Sequence, residues 1–181
     1  MKRLAALAVL GALLPLRAGA ETVPLEGCYE RLYDTAHLAA HRDQIVVRLT
    51  LRIARAKPET RTRETQIADA NLKMWVRRHK QSFNSLGACS VSGDGLTCGG
   101  SLSAAEADTC RKPRDGVHDC LIDINNDPGS FDIQPRPDGV LVSVRERLEL
   151  VPAPYDAGPF LYLSPNNAEN RAFLLKRTAC R

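Results

Sequence analysis

Glu30, Asp34, His37 and His41 stand at i, i+4, i+7 and i+11. On an α-helix these four fall within a stripe roughly 60° wide. Two imidazoles one turn apart can share a metal ion, and a carboxylate a turn earlier can supply a third ligand. Leu38 occupies the place where a zinc protease carries its general-base glutamate, so the stripe does not encode that chemistry. The competing reading is a solvated polar helix edge, with histidines favoured near the helix C-terminus by its dipole. A structural metal site normally closes four positions from more than one element, so the solvated edge is the expectation and no metal is expected.

A second group is Lys73, Trp75, Arg77 and His79, which an alternating strand sends to one face. A row of cations carrying an aromatic ring suits an anionic ligand, such as a carboxylated glycan or the acidic loop of a partner. Cations on a strand also discourage edge-to-edge aggregation, which is the structural alternative. With Leu72, Met74 and Val76 facing inward, the indole of Trp75 lies outside among the cations; if instead the strand rolls there, the indole caps one end of a barrel. A third group, Asp123, Asn125, Asp127 and Asp132, lacks the glycine at the sixth position of a calcium loop and has Gln134 at the twelfth, so a hairpin turn accounts for it better. The chain contains no Gly-x-Ser-x-Gly elbow, no phosphate-binding glycine-rich loop and no dinucleotide fingerprint.

These residues need a scaffold, and the six cysteines describe part of it. Cys89 and Cys98 flank Ser92-Gly93-Asp94-Gly95. A two-residue Gly-Asp hairpin loop pairs 92 with 95 and, counting outward, 89 with 98, on a non-hydrogen-bonded pair close enough for a bridge. Cys110 and Cys120 close a polar segment, and Cys28 is then left to meet Cys180, although six cysteines allow fifteen connectivities. No Cys-x-x-Cys pair argues for zinc.

Tyr29 to His41 places Tyr29, Leu32, Tyr33, Ala36 and Ala40 on one stripe, which predicts a helix. After it the period changes to two. Ile45, Val47, Leu49, Leu51 and Ile53 alternate with polar residues, and strand-like runs follow around Leu72–Val76, then at 82–91, 96–99, 120–124, 130–134, 140–150, 160–163 and 172–176. Turn chemistry separates them, including Pro137-Asp138-Gly139. Ser103 to Glu106 reads as a capping box for one helical turn. The expected fold is all-β, an antiparallel barrel or sandwich of about eight strands, with one N-terminal α-helix and disulfide staples; of the two, the barrel is preferred.

Met1-Lys2-Arg3, the aliphatic run Leu4 to Leu16 and Ala18-Gly19-Ala20 have the form of a signal peptide cut after Ala20. The aliphatic run is too short to span a bilayer, which takes about 20 residues. Removing residues 1–20 deletes three cations and no acid, so the formal charge falls from +4 to +1. Clustered net charge of the kind that attracts nucleic acid or anionic lipid is therefore not expected. Residues 21–181 make a single domain. Cys28-Tyr29-Glu30-Arg31, the His37-Leu38-Ala39-Ala40-His41 stretch and Gly95-Leu96-Thr97-Cys98 resemble a group of small exported bacterial proteins of unknown function; the resemblance implies export and a shared fold, and no site. The sequence thus points to a periplasmic or secreted monomer of the cell envelope, without cofactor. It reads as a non-catalytic binding or inhibitor-like module for an envelope protein or an anionic glycan. The alternative is a small envelope hydrolase or metal-binding protein using the Glu30 stripe.

Overall fold

A computed structural model describes residues 23–61, 64–101, 129–154 and 159–180. The proposed cleavage site after Ala20, the Cys110–Cys120 bridge, the 120–124 strand, the capping box at Ser103 and most of the calcium-like group lie outside these residues. Within them the chain forms β1 (Gly27–Leu32), α1 (Thr35–Ala40), β2 (Val46–Arg55), β3 (Ala68–Val76), β4 (Ser82–Ser92) and β5 (Gly95–Ser101). After the undescribed stretch come β6 (Ser130–Arg136), β7 (Gly139–Val144), β8 (Leu148–Ala153), β9 (Leu161–Leu163) and β10 (Ala172–Thr178).

Every strand pairing is antiparallel, and the order β3-β2-β1-β10-β7-β6-β5-β4 closes on itself through β3 and β4. The expected barrel is therefore present, with eight strands. The two remaining strands are an annex. Ser82, Phe83 and Asn84 of β4 lie beyond the β5 pairing, and β8 takes that edge with Ala153, Pro152 and Val151, while β9 pairs with β8. A free edge that could recruit another chain is thereby covered.

Alternation along the strands fills the barrel with side chains. Leu49, Leu51 and Ile53 of β2, Leu72 and Met74 of β3, Phe131 and Ile133 of β6 and Phe173 and Leu175 of β10 are all buried in one core. Eight-stranded barrels have an interior just wide enough to be packed in this way. Tyr29 from β1 joins them. Its hydroxyl donates to the carbonyl of Leu25 at 2.8 Å, and burial pushes its pKa above the ordinary tyrosine value, with the nearby Arg177 guanidinium opposing the rise.

Both described disulfides match the expected pairing. Cys89 and Cys98 face each other with Cα atoms 4.1 Å apart, and Ser92 pairs with Gly95 as the two-residue turn requires. Gly93 takes φ +62°, which a residue without Cβ adopts at no steric cost. Cys28 and Cys180 are joined with a Cα separation of 5.2 Å, tying β1 to the residues just after β10. Two structural disulfides indicate an oxidising, extracellular type of environment. No helix among the described residues is long and apolar enough to cross a membrane.

Three elements differ from expectation. The helix expected over Tyr29–His41 is a strand followed by a six-residue helix: Asp34 is its N-cap, accepting from the His37 backbone N–H at 2.7 Å. Residues 27–32 instead pair fully with β2, and Leu32, expected on the apolar stripe, is 68% exposed. At the start of β2 a bulge between Val46 and Arg48 turns Val46 inward in place of Ile45 and Val47. The expected 140–150 strand breaks at Arg145-Glu146-Arg147, where the backbone N–H groups of Arg145 and Glu146 both donate to the Ser130 carbonyl.

Candidate functional site

The four residues of the predicted helical stripe occupy three different settings. Glu30 lies on β1 and accepts from Arg48 Nε at 2.7 Å. Asp34 is spent on the cap of α1. His37 and His41 do sit one turn apart, but their rings stack at 4.3 Å, and Tyr33 stacks on His37 at 4.7 Å. His37 Nε2 is 3.0 Å from Gln44 Oε1, and His41 Nδ1 is 3.3 Å from Glu169 Oε1. Among the described residues no group of three or more His, Cys, Asp or Glu is arranged to hold a metal ion.

The second predicted group divides. Lys73 and Trp75 are on the outer face of β3, as the alternation requires, because Leu72, Met74 and Val76 point inward. Trp75 is half-buried rather than fully exposed. Arg48, directly opposite it on β2, lays its guanidinium 4.5 Å from the indole centroid, and the Lys73 ammonium lies 5.3 Å away. Cation–aromatic pairs of this kind contribute about 0.5–1 kcal/mol at exposed sites. Glu30 neutralises Arg48, so Lys73 is the uncompensated cation of the cluster among the described residues. Arg48 is the member that sequence reading did not assign: Trp75 was placed by its own strand, whereas its partner comes from a cross-strand register invisible in a single run.

Arg77 and His79 do not share that face, because β3 ends at Val76. The Arg77 guanidinium turns to the C-terminal carbonyls of α1, donating to Leu38 and, at 3.2 Å, to His41. His79 packs edge-on against Phe83 at 5.3 Å. Between them Arg78 adopts φ +67°, the left-handed conformation of a tight reversal.

This turn forms one wall of an open cleft of about 870 Å³ at the barrel end beside α1. The other walls are the Arg42–Ile45 stretch entering β2 and the 164–169 loop leading to β10. Asn170, 1% exposed, rivets the two together. Its Oδ1 accepts from the N–H groups of Ile45 at 2.9 Å and Val46 at 3.4 Å, while Nδ2 donates to the Asp43 carbonyl at 2.7 Å and to Asn167 Oδ1 at 3.2 Å. Replacing Asn170 with alanine strands buried donors and acceptors on both segments and is expected to lower the unfolding free energy by about 3 kcal/mol, read from urea denaturation. A loss below about 1 kcal/mol would show that the two walls do not depend on this side chain.

Neither family models, nor curated proteins, nor solved structures match the chain.

Proposed function

We propose that the protein is an exported, non-catalytic binding module of the cell envelope, and that it engages an anionic glycan or the acidic surface of an envelope protein through the outer face of β2 and β3. The observation that carries this reading is the placement of Trp75. The chain's single tryptophan lies on the solvent side of its strand, flanked by Arg48 and Lys73, rather than in the core where its area would stabilise the fold most. Large amphipathic rings beside arginine are the residues that concentrate binding energy in recognition surfaces. Two further features support a surface role. The barrel axis is filled by Phe83, Phe131, Phe173 and their neighbours, so recognition belongs to the outside and the ends. The disulfides and the N-terminal leader suit export to the periplasm or beyond.

Trp75 also reports on its own surroundings. Titration with an oligogalacturonate and, separately, with polyglutamate is expected to give a saturable change in indole emission for at least one of them. Lys73→Glu should weaken that response roughly tenfold with little change in stability, since the residue is exposed. Emission unchanged by both polyanions, or a response unaltered in Lys73→Glu, would remove this face from consideration.

A further inference from the structure

The barrel-end cleft offers a different chemistry from the Trp75 face. Arg42 and Arg78 both line it, and neither has an ion pair or side-chain hydrogen bond among the described residues. Asp43 lines it as well, with its carboxylate equally unengaged, and the lining Glu169 keeps one buried carboxylate oxygen, Oε2, without a hydrogen-bond partner. The cleft therefore presents two unpaired cations, Arg42 and Arg78, beside the unengaged Asp43 carboxylate and a Glu169 carboxylate that His41 engages through Oε1. No aromatic ring lines it for a sugar to stack on, and Ile45 and Ala168 are its apolar contributions. Its volume falls within the range of small-ligand sites, roughly 300–1,000 Å³.

Arg78 adds an independent sign. A non-glycine residue in the left-handed region costs of order 1 kcal/mol, and such strain collects where a side chain must be aimed. Glycine or asparagine would make the same turn more easily. What arginine supplies instead is a cationic side chain lining the cleft, on a turn tied to the neighbouring wall by the Arg77 N–H, which donates to the Ile45 carbonyl at 2.8 Å.

We propose that this cleft binds a short peptide bearing both a free carboxylate and a free ammonium group, the carboxylate received by Arg42 and Arg78 and the ammonium by Asp43 and Glu169. Forked guanidinium–carboxylate pairs give the geometric selectivity for one end, and the acids select the other. A simple anion satisfies only half of the lining, and a neutral ligand none of its charges.

Calorimetric titration of the oxidised mature protein decides the matter, with trialanine as the probe beside its N-acetylated form, its C-amidated form and inorganic phosphate. Trialanine with both ends free is expected to bind, and blocking either end should weaken it roughly tenfold or more. Arg78→Gly should lose binding to a similar degree while unfolding at the same or a higher denaturant concentration, because glycine relieves the strained turn. Four outcomes overturn the proposal: no binding of trialanine at millimolar concentration, equal binding of the blocked forms, phosphate binding as tightly as the peptide, or full affinity in Arg78→Gly.

Discussion

Removing the Cys28–Cys180 bridge, by Cys28→Ser with Cys180→Ser, is expected to cost about 5 kcal/mol of unfolding free energy in the chain-entropy model. The bridge spans 152 residues, so in the unfolded state it forbids most of the separations that the two ends would otherwise explore. Cys89–Cys98 spans only 9 residues and contributes about 2.5 kcal/mol by the same relation. The long bridge also has a topological role. β1 stands between β2 and β10, and the β1–β10 ladder, which joins the two ends of the described chain, is three residue pairs long. Without the bridge that ladder must form between segments with no covalent tie near either end. The expected result is a fall in melting temperature of roughly 10–20 °C, larger than for Cys89→Ala with Cys98→Ala. A rise in the denaturant m-value should accompany it as the unfolded chain expands. If the short bridge proves the more costly to lose, strain or unfolded-state structure outweighs loop entropy in this protein.

The short pairing was legible because a two-residue turn fixes register: once Gly93-Asp94 is the loop, Cys89 and Cys98 must face each other, whereas Cys28–Cys180 followed only by elimination, with Cys110 and Cys120 taken as a pair. The barrel was legible for a related reason, since period-two runs separated by turn residues leave few other architectures. The error at Tyr29–His41 shows where single-run patterns fail. Tyr29, Leu32, Tyr33 and Ala36 fit a helical stripe, yet residues 27–32 sit between two strands that offer ladder bonds on both edges, and tertiary pairing overrides a weak local preference. Asp34 held the corrective signal, because an Asp-Thr pair ahead of an alanine-rich run marks a helix start at Thr35. The break between β7 and β8 was masked by parity. Val140, Val142, Val144, Leu148 and Leu150 are all inward and all even-numbered, and only Glu146 at an even position betrayed the interruption.

Site legibility followed the same division. Trp75 and Lys73 were placed by their own strand, which needs nothing but alternation. Arg77 and His79 were not, since the pattern cannot show that β3 stops at Val76 and reverses through Arg78. The cleft was beyond reach altogether. Its walls are segments near 42, 78 and 167, and what assembles them is the buried Asn170, a residue type that sequence patterns assign to turns.

Phe131 is where the core is expected to be most sensitive to a single side chain. It is fully buried on β6, directly opposite Cys98, and a Cβ built on Gly87 would lie 2.8 Å from the edge of its ring and 2.8 Å from the Cys98 Cβ. The missing side chain of Gly87 is thus the space that the ring and the disulfide occupy. Phe131→Ala empties that space in a core braced by a covalent bridge, which limits collapse, and about 4 kcal/mol should be lost. Gly87→Ala overfills it, and because the disulfide cannot swing aside the cost should be about 2 kcal/mol despite the better strand propensity of alanine. The informative variant carries both changes. If the two positions share one volume, the methyl added at 87 fills part of the cavity left at 131, and the double variant should be more stable than the sum of the single losses by at least about 1 kcal/mol. Strict additivity in urea unfolding would mean that the ring and Gly87 do not compete for the same space, and the packing described around Cys98 would be wrong.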